Sequence, residues 1–182
     1  MTDEIVPDDK DWTWVLERPC PECGFDARTV EVTEAGELIR ANAVTWGEVL
    51  QADEATVRHR SMPQRWSTLE YGAHVRDVYR LYLERLGLML DTHDPLYPNW
   101  DQDQTAVEER YDLQDPAVVS AELQAAATAL AIAFDAVEAA QWQRPGRRSD
   151  GASFTVASFA RYLIHDPVHH LWDCGVDLQS RP

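Results

Sequence analysis

Apolar residues recur at helical spacing in four long stretches, separated by segments punctuated with proline, glycine and aspartate. The first stretch, residues 35–60, carries Leu38, Ile39, Val44, Trp46, Val49, Leu50 and Val57 and meets no proline before Pro63. The second opens on Ser67-Thr68-Leu69-Glu70, a capping-box pattern in which Ser67 is the N-cap and Glu70 reaches back to it. Tyr71, His74, Val75, Val78, Leu81, Tyr82 and Leu86 follow at helical spacing, which predicts a helix to about residue 90. Asp115-Pro116 starts the third, with an acid at the N-cap and proline at the first helical position. Val119, Leu123, Ala126, Leu130, Ala133 and Val137 then step by four and three alternately, the seam of a helix in a bundle. The last helix is predicted from about residue 155 to residue 174, with Gly175 as its terminator.

The intervening segments read differently. Residues 1–34 form an irregular arm, broken by Pro7, Pro19, Pro21 and Gly24, and its Trp12 and Trp14 predict that it packs on the body of the protein. Residues 91–104 are a polar loop, followed by one short extra helix over 105–111. Residues 141–153 read as a loop or a tight hairpin-like excursion. With no repeat and no strand-rich region, the pattern predicts an all-α, four-helix bundle over 35–182, preceded by the arm.

Composition narrows the partners. The chain has 182 residues with 16 basic against 32 acidic side chains, a formal charge of −16. That balance argues against nonspecific nucleic-acid binding and against an anionic membrane surface, both of which call for basic patches. No basic segment followed by an apolar run stands at the N-terminus, and no uninterrupted apolar run approaches membrane-spanning length. The expectation is a cytoplasmic protein acting on a small molecule.

The candidate chemistry lies in cysteine and histidine. Cys20-Pro21-Glu22-Cys23 has the spacing of half a zinc knuckle, since two intervening residues let both thiolates reach one ion. No second cysteine pair exists. Cys174 would be a third ligand only if the fold brought it near; a redox pair or plain packed thiols are the alternatives. Of six histidines, His165 and His169 lie four apart on the last helix and face the same way, on a stripe shared with Ser158, Tyr162, Trp172 and Val176 that is expected to face the bundle interior. His74 lies on the inward face of the second helix and would supply a third imidazole. His170 is turned about 100° from His169 and is set aside as a ligand to the same ion. His59 and His93 read as surface residues. Pro167, inside the last helix, predicts a kink or local deformation between the two imidazoles.

The run from Trp66 to Asp77, then Trp100-Asp101-Gln102-Asp103, then His165-Asp166-Pro167-Val168-His169-His170, resembles the DinB-like superfamily over residues 35–177. That superfamily includes mycothiol-dependent maleylpyruvate isomerase and thiol S-transferases that use mycothiol or bacillithiol. The resemblance implies a four-helix bundle with a divalent ion between helices. Its ligands are one His on the second helix, and a His or Glu plus a His four residues later on the last. Carried over, these positions are His74, His165 and His169. Pro167 departs from the usual continuous helix. Zn, Ni or Fe suits such a site, and family members often form dimers.

The activity so implied is transfer of a metal-bound thiol, such as mycothiol, to a small electrophile, or isomerisation of that electrophile. Tyr71 and Tyr162 would donate hydrogen bonds to the electrophile. Arg76 and Arg148 would anchor a carboxylate, and Asp77 and Asp166 would accept from ligand imidazoles. Metal-assisted hydrolysis and a non-catalytic metal- or ligand-binding bundle are the alternatives.

Overall fold

Side-chain caps set where the helices begin in the computed structural model, which describes residues 5, 6 and 10–177. The elements in chain order are α1 (Ala35–Leu50), α2 (Glu54–Arg58), α3 (Thr68–Asp91), β1 (Leu96–Tyr97), α4 (Gln102–Glu108), α5 (Pro116–Asp135), β2 (Pro145–Arg148), β3 (Ser153–Thr155) and α6 (Val156–Asp173). Both halves of the Ser67/Glu70 capping box form at the start of α3. Asp115 accepts from the amides of Ala117 and Val118 above Pro116, and Gly175 leaves α6 at a φ of +78°. These are the boundaries the sequence predicts.

Two boundaries shift for local reasons. The first helix ends at Leu50 rather than continuing to residue 60. Asp53 takes the Thr56 amide at 3.0 Å and its hydroxyl at 2.6 Å, which starts α2 in a new direction. The short helix expected at 105–111 starts at Gln102, because Asp101 caps it through the Gln104 amide. The hairpin-like excursion is β2 and β3 paired antiparallel, with β1 added in parallel on β2. This small sheet fixes Arg148 and Asp150 beside the 91–104 loop.

The four long helices, α1, α3, α5 and α6, form an all-α bundle. Helix α5 packs most extensively on α1 and α3 and buries Val119, Leu123, Leu130 and Phe134. With a mean hydropathy of 1.6 it is long and apolar enough to cross a membrane by composition, yet here it is a bundle helix. Gly72 permits the close approach of α1 to α3, since a Cβ there would stand 3.0 Å from the Leu50 methyl carbons. Tyr79 donates to Asn42 at 2.7 Å across the same interface. Helix α6 continues through Pro167, and the Trp46 indole of α1 donates to the Pro167 carbonyl at 3.2 Å. The N-terminal arm lies against α6 through 3-10 turns at Trp12–Leu16 and Ala27–Thr29.

Candidate metal centres and cleft

Helix α6 carries two interleaved i,i+4 pairs, His165/His169 and Asp166/His170, turned from each other by about 100°. The structure sends them to different neighbours. His165 and His169 face the arm, where one ligand atom from each of Cys20, Cys23, His165 and His169 lies within 4.8 Å of the others. Asp166 and His170 face α3 and form a second group with His74 under the same limit. The expected triad of His74, His165 and His169 is therefore not brought together. The indole of Trp12 packs at a tilt against His165, with ring centres 5.4 Å apart, and against His169 at 5.0 Å, holding that stripe against the arm. The adjacent stripe is left to meet His74.

The second group has the features of a candidate ligand set. His74 is fully buried, and neither of its ring nitrogens has a hydrogen-bond partner; Asp166 Oδ1 is also buried and unpartnered. Such groups are costly to bury and call for an occupant. His74 Nε2 stands 3.4 Å from Asp166 Oδ1, and His170 Nε2 3.9 Å from Asp166 Oδ2. Ligand atoms around one tetrahedral ion with bonds of about 2.1 Å stand roughly 3.4 Å apart, so two imidazoles and a carboxylate fit a divalent ion here. Burial works against charge on Asp166, but the imidazoles of His74 and His170 outweigh it and hold the carboxyl well below the usual carboxylate range.

The surroundings orient these ligands. Asp173 Oδ2 lies 2.9 Å from His170 Nδ1, which leaves Nε2 to face Asp166. Tyr71 stacks on His170 at 4.7 Å. Trp100 lies parallel to His74 at 5.4 Å, and Trp66 flanks it at 5.2 Å. Tyr71 thus supports a ligand ring and is absent from the cleft lining.

Above the group opens a cleft of about 870 Å³, lined by Trp12, Trp100, Arg148, Tyr162, Asp166 and His170 among others. Arg148, held by Asp150 at 2.8 Å, points a guanidinium N–H at the Tyr162 hydroxyl 3.4 Å away. Burial raises the Tyr162 phenol above its ordinary value, so it enters the cleft as a protonated donor.

Other expected residues are placed elsewhere. Arg76 is buried and its guanidinium is taken by Asp77, Gln114 and Glu122, at 2.7 to 3.0 Å, outside the cleft lining. It serves the junction of α3 with α5 rather than a substrate carboxylate. Asp77 binds Arg76, Arg80 and the Tyr111 hydroxyl rather than a ligand imidazole. Cys174 stays outside the Cys20/Cys23 group, and burial pushes its thiol up to about 12. His59 and His93 are exposed, as expected. The residues that sequence reasoning did not group with His74 as candidate ligands are Asp166 and His170. An acid with a histidine four residues on was their signal.

A family model described as the DinB superfamily matches residues 37–174. Among solved structures, YfiT from Bacillus subtilis, described as a probable metal-dependent hydrolase with an unusual four-helix bundle topology, aligns with a TM-score of 0.67. The likeness covers 94% of this chain and 92% of that chain at 15% identity, and it is a likeness of fold. No curated protein matches the chain.

Proposed function

The chain belongs to the DinB superfamily, and on that premise we propose that it is a metal-dependent hydrolase whose ion is held by His74, Asp166 and His170. One observation carries the reading. Buried, unpartnered atoms of His74 and Asp166 converge with His170 beside an open cleft. The description of YfiT as a probable metal-dependent hydrolase supports it.

The donor set favours water over a thiol as the nucleophile. Two imidazoles and a carboxylate are the set used by hydrolytic zinc enzymes. Three neutral imidazoles would leave a dication uncompensated and better suited to hold a thiolate. A divalent ion held by these residues would supply Lewis acidity and make a neighbouring water easier to deprotonate. Asp173 keeps the His170 ring turned toward Asp166, and the Trp66 and Trp100 faces hold His74 in place. Tyr162 presents a protonated hydroxyl to the cleft, where it would donate to a substrate oxygen. Arg148, anchored by Asp150, fixes that hydroxyl and adds positive potential beside it. The mixed acidic and basic lining suits a small polar ester or amide.

The test is a panel of small esters and amides, run on metal-loaded protein with and without a low-molecular-weight thiol such as mycothiol. The expected result is cleavage without thiol, lost in a folded His170→Ala variant. Turnover that requires the thiol would move the assignment to thiol transfer or isomerisation at the same ion. Tight metal binding with no turnover of either kind would leave a binding protein.

A further inference from the structure

Cys20, Cys23, His165 and His169 make a second cluster that the hydrolytic site does not use. Its spacing is Cys-x2-Cys with His-x3-His, the pattern of a four-ligand structural zinc site. The two halves are far apart in sequence and reach each other through the fold: the cysteines lie in the arm and the histidines on α6.

Local backbone geometry builds the cysteine half. Gly24 turns the chain at a φ of +76°, a conformation that favours glycine. Its amide bonds to the Cys20 carbonyl at 2.9 Å, and the Cys20 amide bonds to the Phe25 carbonyl at 2.8 Å. This tight turn brings the two thiols close enough to share an ion with the two imidazoles. The histidine half is equally set. His169 Nδ1 stands 3.6 Å from Cys20 Sγ, with Glu22 and Asp173 at its other nitrogen at 3.4 and 3.8 Å. His165 Nε2 is buried and has no hydrogen-bond partner. The cysteines are not joined in a disulfide.

Burial pushes the Cys23 thiol up to about 12, so an ion bound there must displace its proton. Burial, helped by the neighbouring His169, lowers His165 to about 4, which keeps it neutral as a ligand must be.

We propose that Cys20, Cys23, His165 and His169 bind one zinc ion in a closed, structural site that clamps the N-terminal arm to α6. Four protein ligands leave no open position, so the site does no chemistry. Binding releases the two thiol protons to solvent. What it secures is a wall of the cleft. Lys10, Asp11, Trp12 and Thr13 line the cleft from the arm, and Trp12 packs at a tilt against the imidazoles of both His165 and His169.

The full-length protein, stripped of metal and reduced, is titrated with Co2+ and then with Zn2+. Thiolate bound to Co2+ gives a near-ultraviolet sulfur-to-metal charge-transfer band, which a site of imidazoles and a carboxylate cannot give. The band is expected in wild type and in His170→Ala. It is expected to vanish on adding Zn2+, and to be absent from the Cys20→Ser/Cys23→Ser variant. A second measurement needs no variant: Zn2+ should protect both thiols of wild type from alkylation, read peptide by peptide by mass spectrometry.

Co2+ uptake without the band, unchanged alkylation in Zn2+, or a Cys20–Cys23 disulfide trapped at cell lysis would overturn the proposal. None of these readouts depends on hydrolysis, so failure of the hydrolytic reading would leave them untouched.

Discussion

Replacing both His74 and Asp166 with leucine should make the metal-free protein more stable and the metal-loaded protein less stable. In the metal-free state neither ring nitrogen of the fully buried imidazole is hydrogen-bonded, and its Nε2 stands 3.4 Å from the buried Asp166 Oδ1. Removing His74 alone would leave the Asp166 carboxylate buried without the imidazole that holds it charged, so the pair is removed together. Replacing such a pair with apolar side chains recovers about 1–4 kcal/mol. Against this stands the ring packing on Trp66 and Trp100, worth about 0.5–1.5 kcal/mol. The net is a gain of about 1 kcal/mol, or about 2–4 °C in Tm for a chain of this length. With free metal at 100 times its Kd, the wild-type site adds about 2.7 kcal/mol, or about 5–11 °C, which the variant forfeits. Thermal melts of both proteins in chelator and in saturating Zn2+ measure this. Any stabilisation from the cysteine cluster is common to both proteins and cancels in the difference. The signature is a crossing of the two rank orders. A His74→Leu/Asp166→Leu protein that melts lower than wild type in chelator, and rises as much in Zn2+, would refute the reasoning and leave His74 and Asp166 a structural pair.

Four further outcomes are expected. Asp173→Asn, which weakens the hold on His170 Nδ1, should reduce metal affinity about 10–100-fold in a competitive chelator titration. Arg76→Met should cost about 3–5 kcal/mol by denaturant melts, because Asp77 and Glu122 lose their buried partner; KM for any substrate found should stay unchanged. Wild-type Asp77 also gives a pH signature. Burial opposes its charge, but Arg76 and Tyr111 outweigh that and lower its carboxyl. The stability it contributes is therefore full above the ordinary value of 3.8 and is lost as pH falls through the lower folded value. Arg76→Met should flatten that acid limb in pH-dependent melts. Trp46→Phe removes a buried indole and its bond to the Pro167 carbonyl, and should destabilise by about 2–4 kcal/mol in the same melts.

What the sequence discloses is what local interactions decide. Ser67 and Glu70, Asp115 and Pro116, and Gly175 settle helix ends within a few residues, and the structure places α3, α5 and α6 there. The inward position of His74 follows from periodicity alone. Asp53 shows the limit, since a cap in the middle of an apolar pattern ended α1 ten residues earlier than the periodicity implied.

The ligand set shows a deeper limit. Residues four apart share a helix face, and both 165/169 and 166/170 satisfy that rule. Only packing decides which face meets α3 and which meets the arm, and the arm's path is written in no periodicity. The partnership of Cys20 and Cys23 with His165 and His169 spans more than 140 residues and was invisible for the same reason. The three-stranded sheet was hidden likewise, because β1 lies far in sequence from β2 and β3.

The interleaving on α6 has a consequence for how the helix can move. A cylinder gripped on one side can still roll about its axis. One gripped on two faces about 100° apart cannot, because any roll that relaxes one grip strains the other. Asp166 and His170 face α3 while His165 and His169 face the arm, and Trp46 holds the Pro167 carbonyl between them. Adjustments of this bundle toward a substrate are thereby directed into the 91–104 loop, while α6 keeps its angular setting.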